Sequence, residues 1–128
     1  MYNRPSPTSA RNRYQSLDLA SRMEGASPHA LVSILYEELE RALDIAIHAI
    51  ASEQRITANS QIARAQSILI ALESGLDLER GGELAETLGV IYRAMLRQLA
   101  RSGHDSAKIG EVKTGIVEMA RSWRAIAA

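Results

Sequence analysis

From Ser27 onward, apolar residues recur at steps of three and four, the spacing of helices that each bury one face. This periodicity predicts four helices over about 28–52, 58–74, 82–102 and 106–125. Ser27 followed by Pro28 is a helix start, because the serine hydroxyl can cap a free amide and proline at the first helical position gives up only an amide that would be unpaired anyway. Asp105 can cap the fourth helix in the same way. The links, near 53–57, 75–81 and 103–105, are short and place Gly75, Gly81, Gly82 and Gly103 at or beside helix ends. Short links make consecutive helices run antiparallel. No stretch alternates with a period of two for long enough to make a strand, so the expected fold is all-α, an antiparallel up-down-up-down four-helix bundle.

The helices differ in how much apolar surface they carry. The fourth presents one stripe, Ile109, Val112, Ile116, Met119, Ala120, Trp123 and Ile126, which suffices for a core. The first carries two. At about 100° per residue, Leu31, Ile34, Leu35, Ala42, Ile45 and Ala49 form one set, and Val32, Leu39, Leu43, Ile47 and Ile50 form another turned roughly 100° away. Ile70 lies off the Ile62, Ala65, Leu69, Leu72 stripe of the second helix, and Leu96 lies off the Leu84, Leu88, Ile91, Met95 stripe of the third. An apolar arc this wide can be core between two neighbouring helices, a homodimer face, or an open groove that receives an amphipathic helix from another chain. In the groove reading the lining is Leu39, Leu43, Ile47, Ile50, Ile70 and Leu96.

The first 26 residues have a different character. Pro5, Pro7, several serines, Arg4, Arg11 and Arg13 accompany few apolar side chains, so 1–26 is expected to be a flexible arm and 27–128 the bundle domain. The arm has no uninterrupted apolar stretch of the kind a secretory signal needs, and no window approaches the roughly 20 apolar residues of a membrane span. A cytoplasmic protein without membrane insertion is expected. Lysine plus arginine balances aspartate plus glutamate at 15 each, which gives no electrostatic reason to bind nucleic acid or lipid. The aromatics are four tyrosines and one tryptophan and do not alternate with basic residues as a base-stacking surface would. Without cysteine there are no disulfides or thiolate metal ligands.

Candidate chemistry is sparse. His29, His48 and His104 complete no Glu-x-x-His motif of the metal-binding bundles. Asp44 and His48 read as a solvated pair one turn apart, beside Glu37, Glu40 and Arg41. No nucleophile elbow or phosphate-binding glycine loop occurs, and Gly81-Gly82 reads as a turn in which one glycine supplies a positive φ. The expectation is a protein that is not an enzyme and takes no cofactor or metal. Tyr36 and Tyr92 are expected to pack with their hydroxyls at the surface, and Trp123 to anchor the last helix.

The run Leu72 to Leu88, LESGLDLERGGELAETL, continuing to Ile91-Tyr92, resembles the flagellar secretion chaperones of the FliS family. Tyr14-Gln15, Ala26-Ser27-Pro28, Leu35-Tyr36, Ala65, Val112 and Trp123 fall into register around it, so the resemblance covers nearly the whole chain. It implies a four-helix bundle that binds the C-terminal segment of flagellin in the cytoplasm, prevents premature polymerisation and assists delivery to the flagellar type III export gate. It also implies that the arm, through Tyr14 and Leu17, lies on the empty groove; a staple of Tyr14 onto the first helix is the structural alternative. The rival reading is a non-catalytic helical adaptor or regulator of flagellar export. A monomer or weak homodimer is expected.

Overall fold

The computed structural model describes residues 19–126. After a helical turn over residues 19–23 come four helices, α1 (Pro28–Ala51), α2 (Arg55–Ser74), α3 (Leu78–Ser102) and α4 (Ser106–Ala125), and no strand occurs among the described residues. Each helix packs on the next, and α4 closes back on α1, which is the neighbour pattern of the predicted bundle.

Local chemistry sets the boundaries. The Ser27 hydroxyl accepts from the Ala30 amide at 3.1 Å with Pro28 opening α1, and Asp105 accepts from the Ala107 and Lys108 amides to start α4. α3 begins four residues before the expected 82, because Asp77 takes the N-cap and accepts from the Arg80 amide at 3.1 Å. Its first turn then breaks at Gly82, whose φ of 51° belongs to the left-handed region that glycine enters without steric cost. The tight α1–α2 link does without glycine: Glu53 itself sits at φ 57°. It is held there by its amide bonding to the Ile50 carbonyl and by the Gln54 amide bonding to that of Ala49.

The core explains the two-sided apolar pattern of α1. Leu39 and Leu43 are fully buried together with Leu69 of α2 and Ile109 and Ile116 of α4, while Val32, Ile47 and Ile50 pack against this cluster from its edge. α1 lies between α2 and α4, so a broad arc meets both neighbours. Ala42, Ala46 and Ala49 on α1 and Ala58 and Ala65 on α2 are also buried, and side chains this short let the two helices approach closely.

Polar groups reach inward at two places. Tyr36 of α1 and Tyr92 of α3 are both about 1% exposed, and their hydroxyls hydrogen-bond to each other across the bundle. The expected surface position of these hydroxyls is therefore corrected: each satisfies the other, which removes the need to reach water. Burial pushes both phenols above their ordinary pKa. The second place is Glu38, 2% exposed, whose carboxylate meets Arg22 at 3.0 Å, Arg64 of α2 at 3.4 Å and Arg41 at 3.6 Å. Arg22 also reaches Glu37, so the 19–23 turn is tied to α1 by two carboxylates.

Candidate functional site

On α3 two stripes run side by side, offset by one residue. Ala85, Gly89, Tyr92 and Leu99 are buried, whereas Leu84, Leu88, Ile91 and Met95 turn toward α4 and line the wall of a groove. α4 supplies the other wall with Gly115, Met119, Ser122 and Trp123, continued by Ile126 just past its end, and Tyr36 of α1 also contributes. The groove encloses about 480 Å³. Leu84 is 53% and Ile126 48% exposed at one end, so apolar surface is open to solvent there. From Leu84 to Met95 the wall runs along three turns, roughly 16 Å of helix axis.

One end of the groove is fixed by an aromatic clasp. The Trp123 ring stacks on His29, with centroids 4.8 Å apart and planes 13° from parallel, and meets Tyr36 edge-on at 6.4 Å. Its Nε1–H donates to the His29 carbonyl at 2.9 Å, while His29 Nε2–H donates to the Trp123 carbonyl at 3.0 Å. The start of α1 and the end of α4 are thus joined by two hydrogen bonds and a stack. As expected, Trp123 anchors the last helix, but it does so from the groove wall, half-buried.

A second apolar hollow lies on the other flank of α3, against α2, where Leu76, Leu78, Ala85, Gly89 and Val90 are rimmed by Glu73, Glu86 and Arg93. Leu78 and Val90 are 59% and 57% exposed. Arg93 donates to Glu73 at 3.1 Å across this hollow, which closes part of its rim. Another recess, at the α1–α2 end, formed by Ala49, Ile50, Glu53, Gln54, Arg55 and His104, is mostly polar.

The six residues expected to line one groove do not share a surface. Leu39 and Leu43 are enclosed by the core and offer no contact to a guest on the folded chain. Ile47, Ile50 and Leu96 are half-buried and pack inward. Ile70 alone among them is exposed, at 54%. Tyr14 and Leu17 lie outside the described residues. Conversely, the Leu84, Leu88, Ile91, Met95 stripe, read from the sequence as core, forms a groove wall. The signal that could have reversed the assignment is the small-residue stripe Ala85-Gly89 leading to Tyr92, since helices approach each other where side chains are short.

The polar side chains described here pair across the bundle or lie at its surface. Asp44 accepts from Lys113 of α4 at 2.7 Å, which lowers its pKa through that hydrogen bond, so its main partner is a lysine across the bundle instead of the expected His48. His48 adds only a weaker electrostatic contribution in the same direction. His104 pairs with Asn59 at 2.7 Å. Among the described residues, no group of three histidine, cysteine or carboxylate side chains could hold a metal ion. Nor is any helix there long and apolar enough to cross a membrane.

Comparison with known proteins places these features in context. A family model described as "Flagellar protein FliS" matches residues 10–128. A protein of Pseudomonas aeruginosa named flagellar secretion chaperone FliSB is 31% identical over 119 residues, covering 91% of this chain and 94% of its own. The flagellar secretion chaperone FliS of Salmonella typhimurium is 29% identical over 88% of this chain and 86% of its own, and that of Bacillus subtilis is 26% identical over 77% and 74%.

Proposed function

The chain belongs to the flagellar protein FliS family and is a flagellar export chaperone, and from that premise we propose that its client is the C-terminal segment of flagellin, seated in the α3/α4 groove. The observation that carries this reading is the open apolar wall of Leu84, Leu88 and Ile91 facing Met119, Trp123 and Ile126. Three turns of aliphatic side chains on one helix and a methionine and tryptophan on the other suit an amphipathic helix laid into the trough with its apolar face down. Methionine side chains adapt their shape to the guest at little cost.

The mechanism needs no chemistry. A flagellin tail that is disordered alone loses conformational entropy on seating, and burial of its apolar face offsets that loss. While seated, the tail is withheld from contacts with other flagellin molecules, so polymerisation waits. Release at the export gate follows by mass action once a competing site takes the tail. The setting is the cytoplasm, where flagellin is made before export.

Titration calorimetry of the full chain with a flagellin C-terminal peptide is expected to give saturable binding with a large negative heat capacity change. Ile91→Glu, which places a charge on the groove wall outside the buried core, is expected to weaken binding by about a hundredfold while the helical circular dichroism stays that of the parent. Parent-like affinity in that variant would remove the guest from this groove. A chain that captures export components but no flagellin would instead be an adaptor.

A further inference from the structure

The furrow between α3 and α4 continues past its apolar stretch. At steps of three and four, the α3 side runs from Leu84, Thr87 and Ile91 on to Ala94, Gln98 and Arg101, and the α4 side from Met119 and Gly115 on to Glu111 and Lys108. With Arg97, these last residues enclose a recess of about 330 Å³. Its chemistry differs from that of the apolar wall: Arg97, Arg101 and Lys108 are exposed and share the recess with a single carboxylate, Glu111. Gln98 engages that carboxylate, its side-chain amide donating to Glu111 at 2.8 Å and to the Lys108 carbonyl at 3.1 Å. Among the described residues none of these three cations forms an ion pair, whereas Arg41, Arg64, Arg93 and Lys113 each meet a carboxylate. The helix dipole favours Arg101, in the last turn of α3, but disfavours Lys108, in the first turn of α4. The nearby Asp105 carboxylate caps α4 and accepts from the Ala107 and Lys108 amides. A cation held against the dipole, beside two more without a counter-charge, calls for an anion from another molecule.

We infer that this recess receives carboxylates of the guest, so that the segment seated in the furrow is an apolar helix with acidic side chains beyond the end that covers Met95. The inference rests on the α3/α4 groove being the guest's seat, and it adds a direction. An apolar wall alone accepts an amphipathic helix either way round. The basic end breaks that symmetry, since one orientation alone brings the acidic end of the guest to Arg97, Arg101 and Lys108. Arg101 lies roughly 9 Å along the helix axis beyond Met95, so the guest's carboxylates follow its last apolar anchor within about two turns.

The test is calorimetry of the full chain against the flagellin C-terminal peptide at low and high salt, with thermal melts alongside. Parent affinity is expected to fall as salt rises, because the contacts at the recess are exposed. Arg97→Gln/Arg101→Gln is expected to weaken binding by about three- to tenfold at low salt and to flatten the salt dependence. Arg121→Gln/Arg124→Gln, which changes the net charge equally outside the recess, is expected to keep parent affinity. A peptide whose aspartates and glutamates are replaced by their amides is expected to lose the same factor against the parent chain and nothing further against Arg97→Gln/Arg101→Gln. This peptide arm decides by itself if the chain variant fails to fold. Parent affinity in Arg97→Gln/Arg101→Gln or for the amide peptide, together with weakened binding in Ile91→Glu, would overturn the acidic flank and leave the groove standing. An equal loss in Arg121→Gln/Arg124→Gln would reduce the effect to net charge and overturn it too. Parent affinity in Ile91→Glu would overturn both the groove and the flank.

Discussion

His29 and Trp123 each donate a ring N–H to the other's backbone carbonyl, so the first turn of α1 and the last turn of α4 are tied by groups whose acceptors cannot be mutated away. The Trp123 carbonyl, in the last turn, accepts from the Ile126 amide at 3.2 Å and takes the His29 ring N–H as a second donor. The same indole forms part of the groove wall.

Replacing the indole isolates this clasp. Trp123→Phe keeps an aromatic ring against His29 and Tyr36 but removes the donor, and about 1 kcal/mol of stability is expected to be lost in urea titration. As the chain has a single tryptophan, its fluorescence in the parent reports on the groove directly. A shift of the emission maximum to shorter wavelength on addition of the flagellin peptide is expected, since a seated guest excludes water from the ring.

The Tyr36–Tyr92 pair governs behaviour at high pH. Both phenols have folded pKa values raised above the ordinary value near 10, first of all by burial. Below that value both states are protonated and the full stability is present. As the pH rises past about 10 the unfolded chain loses its phenolic protons first, so stability falls steadily toward the higher folded values. Unfolding followed against pH is expected to show this alkaline loss, and the double variant Tyr36→Phe/Tyr92→Phe to lose much of it. At neutral pH either single change strands a buried hydroxyl at a cost of about 1–2 kcal/mol, and the double change is expected to cost less than the two summed.

Glu38 is the hub of the charge network between the 19–23 turn, α1 and α2. Glu38→Ala leaves Arg64, Arg22 and Arg41 facing one another without their shared carboxylate, and a loss of about 3 kcal/mol is expected. Arg22→Ala acts locally: the global melt is expected to move by less than about 1 kcal/mol, while amide exchange at residues 19–23 accelerates. Unchanged exchange there would mean that the turn is held by other contacts.

Much of this architecture could be read from the amino-acid order because its signals are local. The Ser27-Pro28 start, the Asp105 cap and the positive φ within Gly81-Gly82 each depend on residues a few positions apart. The groove was less legible for a physical reason. On α3 the greasier stripe is the outer one, and the inner one is built from Ala85, Gly89, Tyr92 and Leu99, whose small members matter through how closely they let helices pack. A hydropathy pattern ranks the two the wrong way round. Leu39 and Leu43 fell into the expected groove for the mirror-image reason: a two-sided arc on α1 signals two flanking helices as readily as one absent one. Glu38 was invisible because, beyond Arg41 on its own helix, its burial depends on Arg22 and Arg64 from two other segments.

The Ser52–Gln54 corner tells something about the margin on which this chain operates. A glutamate held in the left-handed region stores roughly 1 kcal/mol that glycine at the same point would release. The helical hairpin forms regardless, so the interlocked alanines of its two arms must outweigh the torsion at its tip. A scaffold that tolerates such slack is not tuned for greatest rigidity, and its durability could be increased at this bend without altering any wall that a passenger touches.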